Sequence, residues 1–322
     1  MQLSRRAAFA IAAASLVTST AFAQGWPSRP IRLIVPFPPG GGTDIITREV
    51  ANKVGGPGYT FVIDNKPGTG GNIGVDAVAK APADGYTLVM GQTSNLAINP
   101  TLYPKLPYDP LKDLTPVSLV ASSPLVIVAS ANSPFHTLAD VVKEAKAHPG
   151  SINFASAGNG TVGHLAAESF QKVAGVKFTH IPYKGAAQGA TDVISGQVQL
   201  YFSTIPTLIG HIKSGKVRAI AVTSSTRVDD LPQVPTIAES GYKGFEAVTW
   251  FGILGPAKLP KDVVDKLNAD INKALKDPVL AKKLGAQGAD VAGSTPEQFA
   301  KLIQDDISRW GKIVKESGAK LD

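Results

Sequence analysis

The sequence predicts an α/β protein of two lobes, with mostly parallel sheets flanked by helices. Three observations predict it. Short apolar runs alternate with glycine-bearing loops and helical periodicities along most of the chain, the order expected of parallel strands joined by covering helices. With 322 residues the chain is long enough for two lobes, each with its own core. A strand–glycine loop–helix corner near the start also has a counterpart of similar composition in the middle.

Residues 1–23 read as an export signal. Arg5 and Arg6 form its charged region, residues 7–17 an Ala-rich apolar core, and Ala21-Phe22-Ala23 a small-x-small site that places cleavage after Ala23. The core is too short to span a bilayer as a mature helix. The Arg pair after Ser4 is close to a twin-Arg signal, but Phe9 falls one place late, which favours the general route. No later stretch is long and apolar enough to span a membrane, so the mature chain is expected to be exported and soluble. Losing Arg5 and Arg6, and no acid, lowers the formal charge from +7 to +5. The remaining charge is scattered, which suits mild attraction of anions and argues against a nucleic-acid face. Cysteine is absent, excluding a disulfide framework and a lipid-anchoring Cys.

The first corner spans residues 31–48. Ile31, Leu33, Ile34 and Val35 suit a strand buried on both faces. Pro36, Pro38 and Pro39 stop it, since each lacks the N–H that a ladder needs. Gly40, Gly41 and Gly42 let the backbone turn sharply and approach a ligand. Thr43 and Asp44 are then expected as cap and first-turn residues of a helix with Ile45, Ile46 and Val50 inward. The unpaired N–H groups at such a helix start attract anions. Gly42-Thr43-Asp44 lacks the Lys of a Walker loop, and Ile45 takes the place of the last dinucleotide-loop glycine. A small carboxylate therefore fits better than a polyphosphate. The alternative reading is a plain βα turn with a good cap.

Further strands are expected at 61–64, 87–90, 125–129, 152–155, 198–202 and 219–223, with helices through Val75 and Val78 and over 137–147. Residues 99–116, with five prolines, are expected to be irregular crossing chain. The last part turns helical. Pro260 opens a helix with Val264, Leu267, Ile271 and Leu275 on one stripe. Thr295-Pro296-Glu297-Gln298 starts the final helix with a capping box, and Phe299, Leu302, Ile303 and Trp310 form its buried side.

The second corner runs from the 152–155 strand through Ser156, Gly158, Gly160 and Thr161 into a helix beginning near His164. It is a second potential carboxylate cradle. Two cradles, one in each half of the chain, can hold the two ends of a diacid. Thr93-Ser94-Asn95 follows a strand end, where α/β sheets place ligand contacts, and Tyr183-Lys184-Gly185-Ala186 precedes a helix. Trp250-Phe251-Gly252 is either cleft wall or, more in keeping with buried aromatics, core. His164 either touches ligand or bonds the backbone, and Asp44 either meets a ligand amino group or caps its helix. Catalytic arrangements do not assemble: Phe154-Ala155-Ser156-Ala157-Gly158 is no nucleophile elbow, and the five histidines never fall at metal-ligand spacing.

Val35-Pro36-Phe37-Pro38-Pro39-Gly40-Gly41-Gly42-Thr43-Asp44, Asn65-Lys66-Pro67-Gly68, residues 156–165 and Pro182-Tyr183-Lys184-Gly185 together resemble the Bug-type solute receptors of tripartite tricarboxylate transporters, and the likeness covers the mature length. The resemblance implies a type II-like periplasmic binding protein, a Venus flytrap whose cleft shuts on an organic acid, working with an integral membrane permease. It implies that the 37–44 and 156–161 loops bind carboxylate, with ordered water bridging to the strand region of the first lobe. Ligand contacts are accordingly expected from Phe37, Gly41, Gly42, Thr43, Asp44, Ser94, Asn95, Ser156, Gly160, Thr161, His164, Phe202 and Ser203. No cofactor or metal is implied, and a monomer is expected. Family members often carry an acid where this chain has Tyr201-Phe202-Ser203. Its absence argues against an amino acid ligand and admits an aromatic acid such as terephthalate, with Phe202 and Trp250 as flat apolar partners. The lobes are expected as 24–124 with 230–322, and 125–229 inserted. Two other roles use the same cleft: sensing, through a membrane signalling protein, and exported catalysis on an organic acid.

Overall fold

The computed structural model describes residues 25–55, 59–319 and 321; the expected signal and its cleavage site, residues 1–23, lie outside them. The chain opens with β1 (Ile31–Val35), α1 (Gly42–Val54), β2 (Phe61–Asn65), α2 (Asn72–Ala79) and β3 (Thr87–Gln92). A π-type turn, Ser94–Ile98, leads into the short α3 (Asn99–Leu102) and then β4 (Leu114–Ser130). The middle part comprises α4 (Leu138–Ala147), β5 (Asn153–Ser156), α5 (Val162–Ala174) and β6 (Thr179–Pro182). It continues through α6 (Ala186–Ser195), β7 (Leu200–Thr204), α7 (Ile205–Lys213) and β8 (Val217–Val222). The chain then returns through β9 (Val248–Pro256), α8 (Lys261–Leu275), α9 (Pro278–Gly285), β10 (Asp290–Val291) and α10 (Pro296–Ser317).

Two parallel groups stand on either side of an antiparallel centre. β1 pairs in parallel with β2 and β3, and β5 with β6 and β7. Between them β9 lies antiparallel to β3 and β4, and β4 antiparallel to β7, in the order β2-β1-β3-β9-β4-β7-β5-β6. The expected irregular crossing before a new strand at 125 is replaced, from Leu114 on, by one continuous strand of 17 residues. Residues up to Pro124 pair with β9 and β10, and those from Leu125 with β7 and β8. The prolines hid this strand from pattern reading. Register shifts beside Pro116 and between Leu119 and Ala121 absorb the interruption, as bulges do for residues that break a ladder.

The cores follow the expected stripes. Ile31, Leu33, Ile46, Val50, Leu267, Ile271 and Leu275 share one cluster beneath β1 and β9. Phe154, Phe170, Phe202, Phe299, Ile303 and Trp310 belong to a larger one. Thr295 and Gln298 form the capping box at α10, and Thr137 and Asp140 form another at α4. Leu231 and Val234 pack with Val126 and Val128 of β4, and Val222 bonds Pro235 and Ile237 through the backbone. Residues 231–237 thus pack with the inserted half of the sheet.

Candidate ligand-binding cleft

The first corner folds as a strand stopped by prolines, a turn and a helix, but its cap differs from expectation. Gly40 takes φ +82°, and Gly41 rather than Thr43 is the N-cap, so no side chain of the corner caps α1. Thr43 sits inside the first turn. The Asp44 carboxylate turns away from the cavity and accepts from the Gly40 N–H at 3.0 Å, Arg48 Nε at 3.0 Å and Asn65 Nδ2 at 2.9 Å. Burial opposes its charge, but those hydrogen bonds outweigh it and hold the carboxyl below its usual range. Asp44 therefore braces the loop. Asn65 Nδ2 also donates to the Phe37 carbonyl at 3.0 Å, tying the start of the loop to the end of β2.

The second corner is built alike. Gly158 and Gly160 have φ +134° and +77°, and Thr161, the N-cap of α5, makes no side-chain cap. Its Oγ1 donates instead to the Gly158 carbonyl at 2.7 Å. Ser156 is fully buried, within hydrogen-bonding reach of His180 Nε2 at 2.7 Å and of the Gly158 backbone. The Gly160 N–H donates to His164 Nδ1 at 3.3 Å. His164 stacks on His180 with ring centroids 4.1 Å apart, and His180 stacks in turn on Phe154 at 4.6 Å. Two imidazoles thus grip the two ends of the loop from beneath.

Burial, and secondarily the neighbouring His164, pushes the His180 pKa down from 6.5 to about 3. The folded protein then holds fewer protons than the unfolded chain between these values, so stability rises with pH there. This contribution is complete above about pH 6.5 and lost as pH falls toward 3. His180→Gln is expected to lose on the order of 2 kcal/mol less stability than wild type between pH 7 and pH 4. Denaturant melts at the two pH values check this; parallel losses in both proteins would reject it.

A small inner cavity of about 50 Å³ lies where the corners face each other. Phe37, Gly41, Gly42, Thr43, Ser94, Thr161, Phe202 and Ser203 of the expected set line it. Asp44, Asn95, Ser156, Gly160 and His164 do not. They lie behind the walls, where Asn95 Oδ1 accepts from the Gln92 N–H at 3.1 Å. The Trp250 ring is also absent from the lining: its Nε1 donates to Asp306 Oδ2 at 2.6 Å and it meets Phe299 edge-on. Trp250 is core.

Sequence reasoning missed Gln92, Thr249, Thr204 and Thr207, all in the lining. Thr204 is the N-cap of α7, with Pro206 in its first turn. Thr204-Ile205-Pro206 is itself a helix-start signal, so the helix start was readable, but not its place at the cleft. Among the described residues the inner lining carries no charged side chain. A negative group there would meet helix N-termini, backbone N–H groups and hydroxyls, against an apolar wall of Phe37, Leu125 and Phe202. An outer cavity continues from it past Phe37, Pro38 and Ala157 to Tyr103, Tyr183 and Lys184. Among the described residues, no group of three or more His, Cys, Asp or Glu could hold a metal ion.

Comparison with known proteins gives a consistent picture. Residues 46–319 match the profile of the tripartite tricarboxylate transporter family receptor. Protein BugT of Bordetella pertussis is 41% identical over 93% of this chain and 92% of its own. Two solved structures are similar over 92% and 90% of this chain and all of theirs. They are R. palustris Rpa4515 with adipate, at 35% identity and a TM-score of 0.90, and MatC from Rhodopseudomonas palustris with bound malate, at 32% and 0.85.

Proposed function

Because this chain belongs to the tripartite tricarboxylate transporter receptor family, we propose that it captures a small dicarboxylate in the periplasm and hands it to a membrane permease. Membership makes it a Bug-type solute-binding receptor and not an enzyme. The observation that carries the ligand class is the inner cavity. Helix starts from both halves of the chain face it, and its lining has hydroxyls and glycines but no charge. Such a site selects an anion by donor geometry, each helix end contributing roughly 0.3–1 kcal/mol when exposed and up to about 2 when partly buried. Similar proteins with adipate and with malate support a diacid. Ser203 at the cavity argues against a ligand ammonium group, and Phe202 offers a flat apolar wall, so an aromatic diacid such as terephthalate lies within the proposal.

The lobes are proposed to hinge where the chain passes between the halves of the sheet, within β4 at Pro124–Leu125 and just before β9 at Val248. This puts the second passage of the proposed hinge later than the expected 229–230 boundary, a choice supported by the packing of Leu231 and Val234 with Val126 and Val128. Closure on ligand biases that hinge, and the closed form is what the permease recognises.

A thermal-shift screen of refolded mature protein against aliphatic and aromatic mono- and dicarboxylates tests this reading. A ligand at a hundredfold excess over Kd stabilises the folded state by about 2.7 kcal/mol. One or more diacids are expected to raise Tm, with no effect of glutamate. A shift with glutamate alone, or with no diacid, would overturn the assignment.

A further inference from the structure

Two of the helices that face the cavity, α1 and α5, are each capped by a hydroxyl from the opposite wall. The Gly42 N–H, the first of α1, donates to Thr207 Oγ1 at 3.0 Å across 165 positions of sequence. The Val162 N–H, the first of α5, donates to Ser94 Oγ at 3.2 Å. Thr207 lies on α7 in the inserted half, and Ser94 on the turn after β3 in the first half, so the two bonds run in opposite directions across the cleft. Both fill a role the local sequence leaves open, since Gly41 has no side chain and the Thr161 hydroxyl is spent on Gly158. Thr207 is held in place by Thr204 Oγ1 at 3.0 Å, and Ser94 and Thr207 are 1% and 9% exposed.

We infer that Ser94 and Thr207 are reciprocal caps that hold the two lobes in the closed arrangement and position the helix ends on which the acid lands. The bonds exist only while the walls are in contact, so whatever they contribute is added to closure itself. This deepens the receptor reading, naming residues that set its closing equilibrium without relying on the identity of the acid. The two caps act on different helices and add independently. Losing an N-cap hydroxyl costs about fivefold in the equilibrium it stabilises, so losing both lowers the ratio of closed to open molecules about 25-fold.

The test uses no acid, so its failure and that of the carboxylate assignment are distinguishable. The chain contains no cysteine, and Thr69 and Lys184, which line the outer cavity from its two sides, can be changed to Cys as unique sites for spin labels. Pulsed dipolar distance measurements on the ligand-free protein are expected to show a short-distance population matching the closed walls. Ser94→Ala with Thr207→Val is expected to lower the ratio of short-distance to long-distance molecules by about 25-fold, while Thr207→Ser, which keeps the hydroxyl, leaves it at the wild-type level. The same melting temperature in all three proteins excludes misfolding, and single substitutions replace the double one if it alone melts early. A distance distribution unchanged by the substitutions, or no short-distance population in the wild type, would overturn the inference.

Discussion

Gly42→Val is expected to abolish acid binding while leaving the ligand-free protein about as stable as the wild type. A β-carbon at position 42 would overlap the Thr204 hydroxyl and press on Thr204 Cβ at 3.4 Å, with Thr207 Oγ1 at 3.6 Å. All of these atoms belong to the opposite wall, so the added side chain meets nothing until the cleft shuts. Gly42 has ordinary helical backbone, and substitution within the first turn changes stability by no more than about 1 kcal/mol. Forcing extra carbons into the shut interface costs about 1–3 kcal/mol for a methylene-sized excess, and valine adds more, so affinity is expected to fall at least about a hundredfold. Calorimetric titration with whichever diacid raises the wild-type Tm most, beside melts without it, separates the two effects. Binding within threefold of wild type would show that the walls do not approach at Gly42.

Trp250→Ala is expected to do the opposite. The indole is 5% exposed, set edge-on against Phe299 with centroids 5.5 Å apart, and bonded through Nε1 to an Asp306 carboxylate that is itself 6% exposed. Arg309 Nε donates to the other carboxylate oxygen at 2.9 Å. Truncating a buried Trp removes its packing and leaves a cavity, costing about 3–5 kcal/mol, and it takes one donor from a buried acid. For a chain this long that corresponds to a fall in Tm on the order of 10 °C. The backbone N–H of residue 250 bonds Thr93 Oγ1 at 3.0 Å, between the lining residues Gln92 and Ser94, and that bond survives the change. Affinity of the folded fraction should move less than about threefold. A stable variant with lost binding would return Trp250 to the cleft wall.

These two residues mark what sequence could and could not convey. Stripes such as Val264, Leu267, Ile271 and Leu275 were legible because helical periodicity states directly which face is buried. The corners were legible because prolines and glycines have few other uses in such a run. Asp44, Ser156 and His164 were assigned to the right loops, but the direction in which each side chain points depends on partners remote in sequence, Asn65 for one and His180 for another. Thr204 and Thr207 were missed although their helix start was written in Thr204-Ile205-Pro206, because nothing local says that this third helix would face the first corner. Their proximity to Gly42 comes from the way the two halves of the sheet face each other.

The continuity of β4 also bears on how the chain becomes a protein at all. Its first half aligns Pro124 with Val248 and Leu114 with Pro256, and its second half needs β7 and β8. A polypeptide emerging from its N-terminus has therefore delivered most of its length before its central strand can find a neighbour on either side. Pairings so distant in sequence form slowly, and until they do neither half of the sheet has a finished centre. The wiring order thus places completion of both halves of the sheet, and of the cleft between them, late in folding.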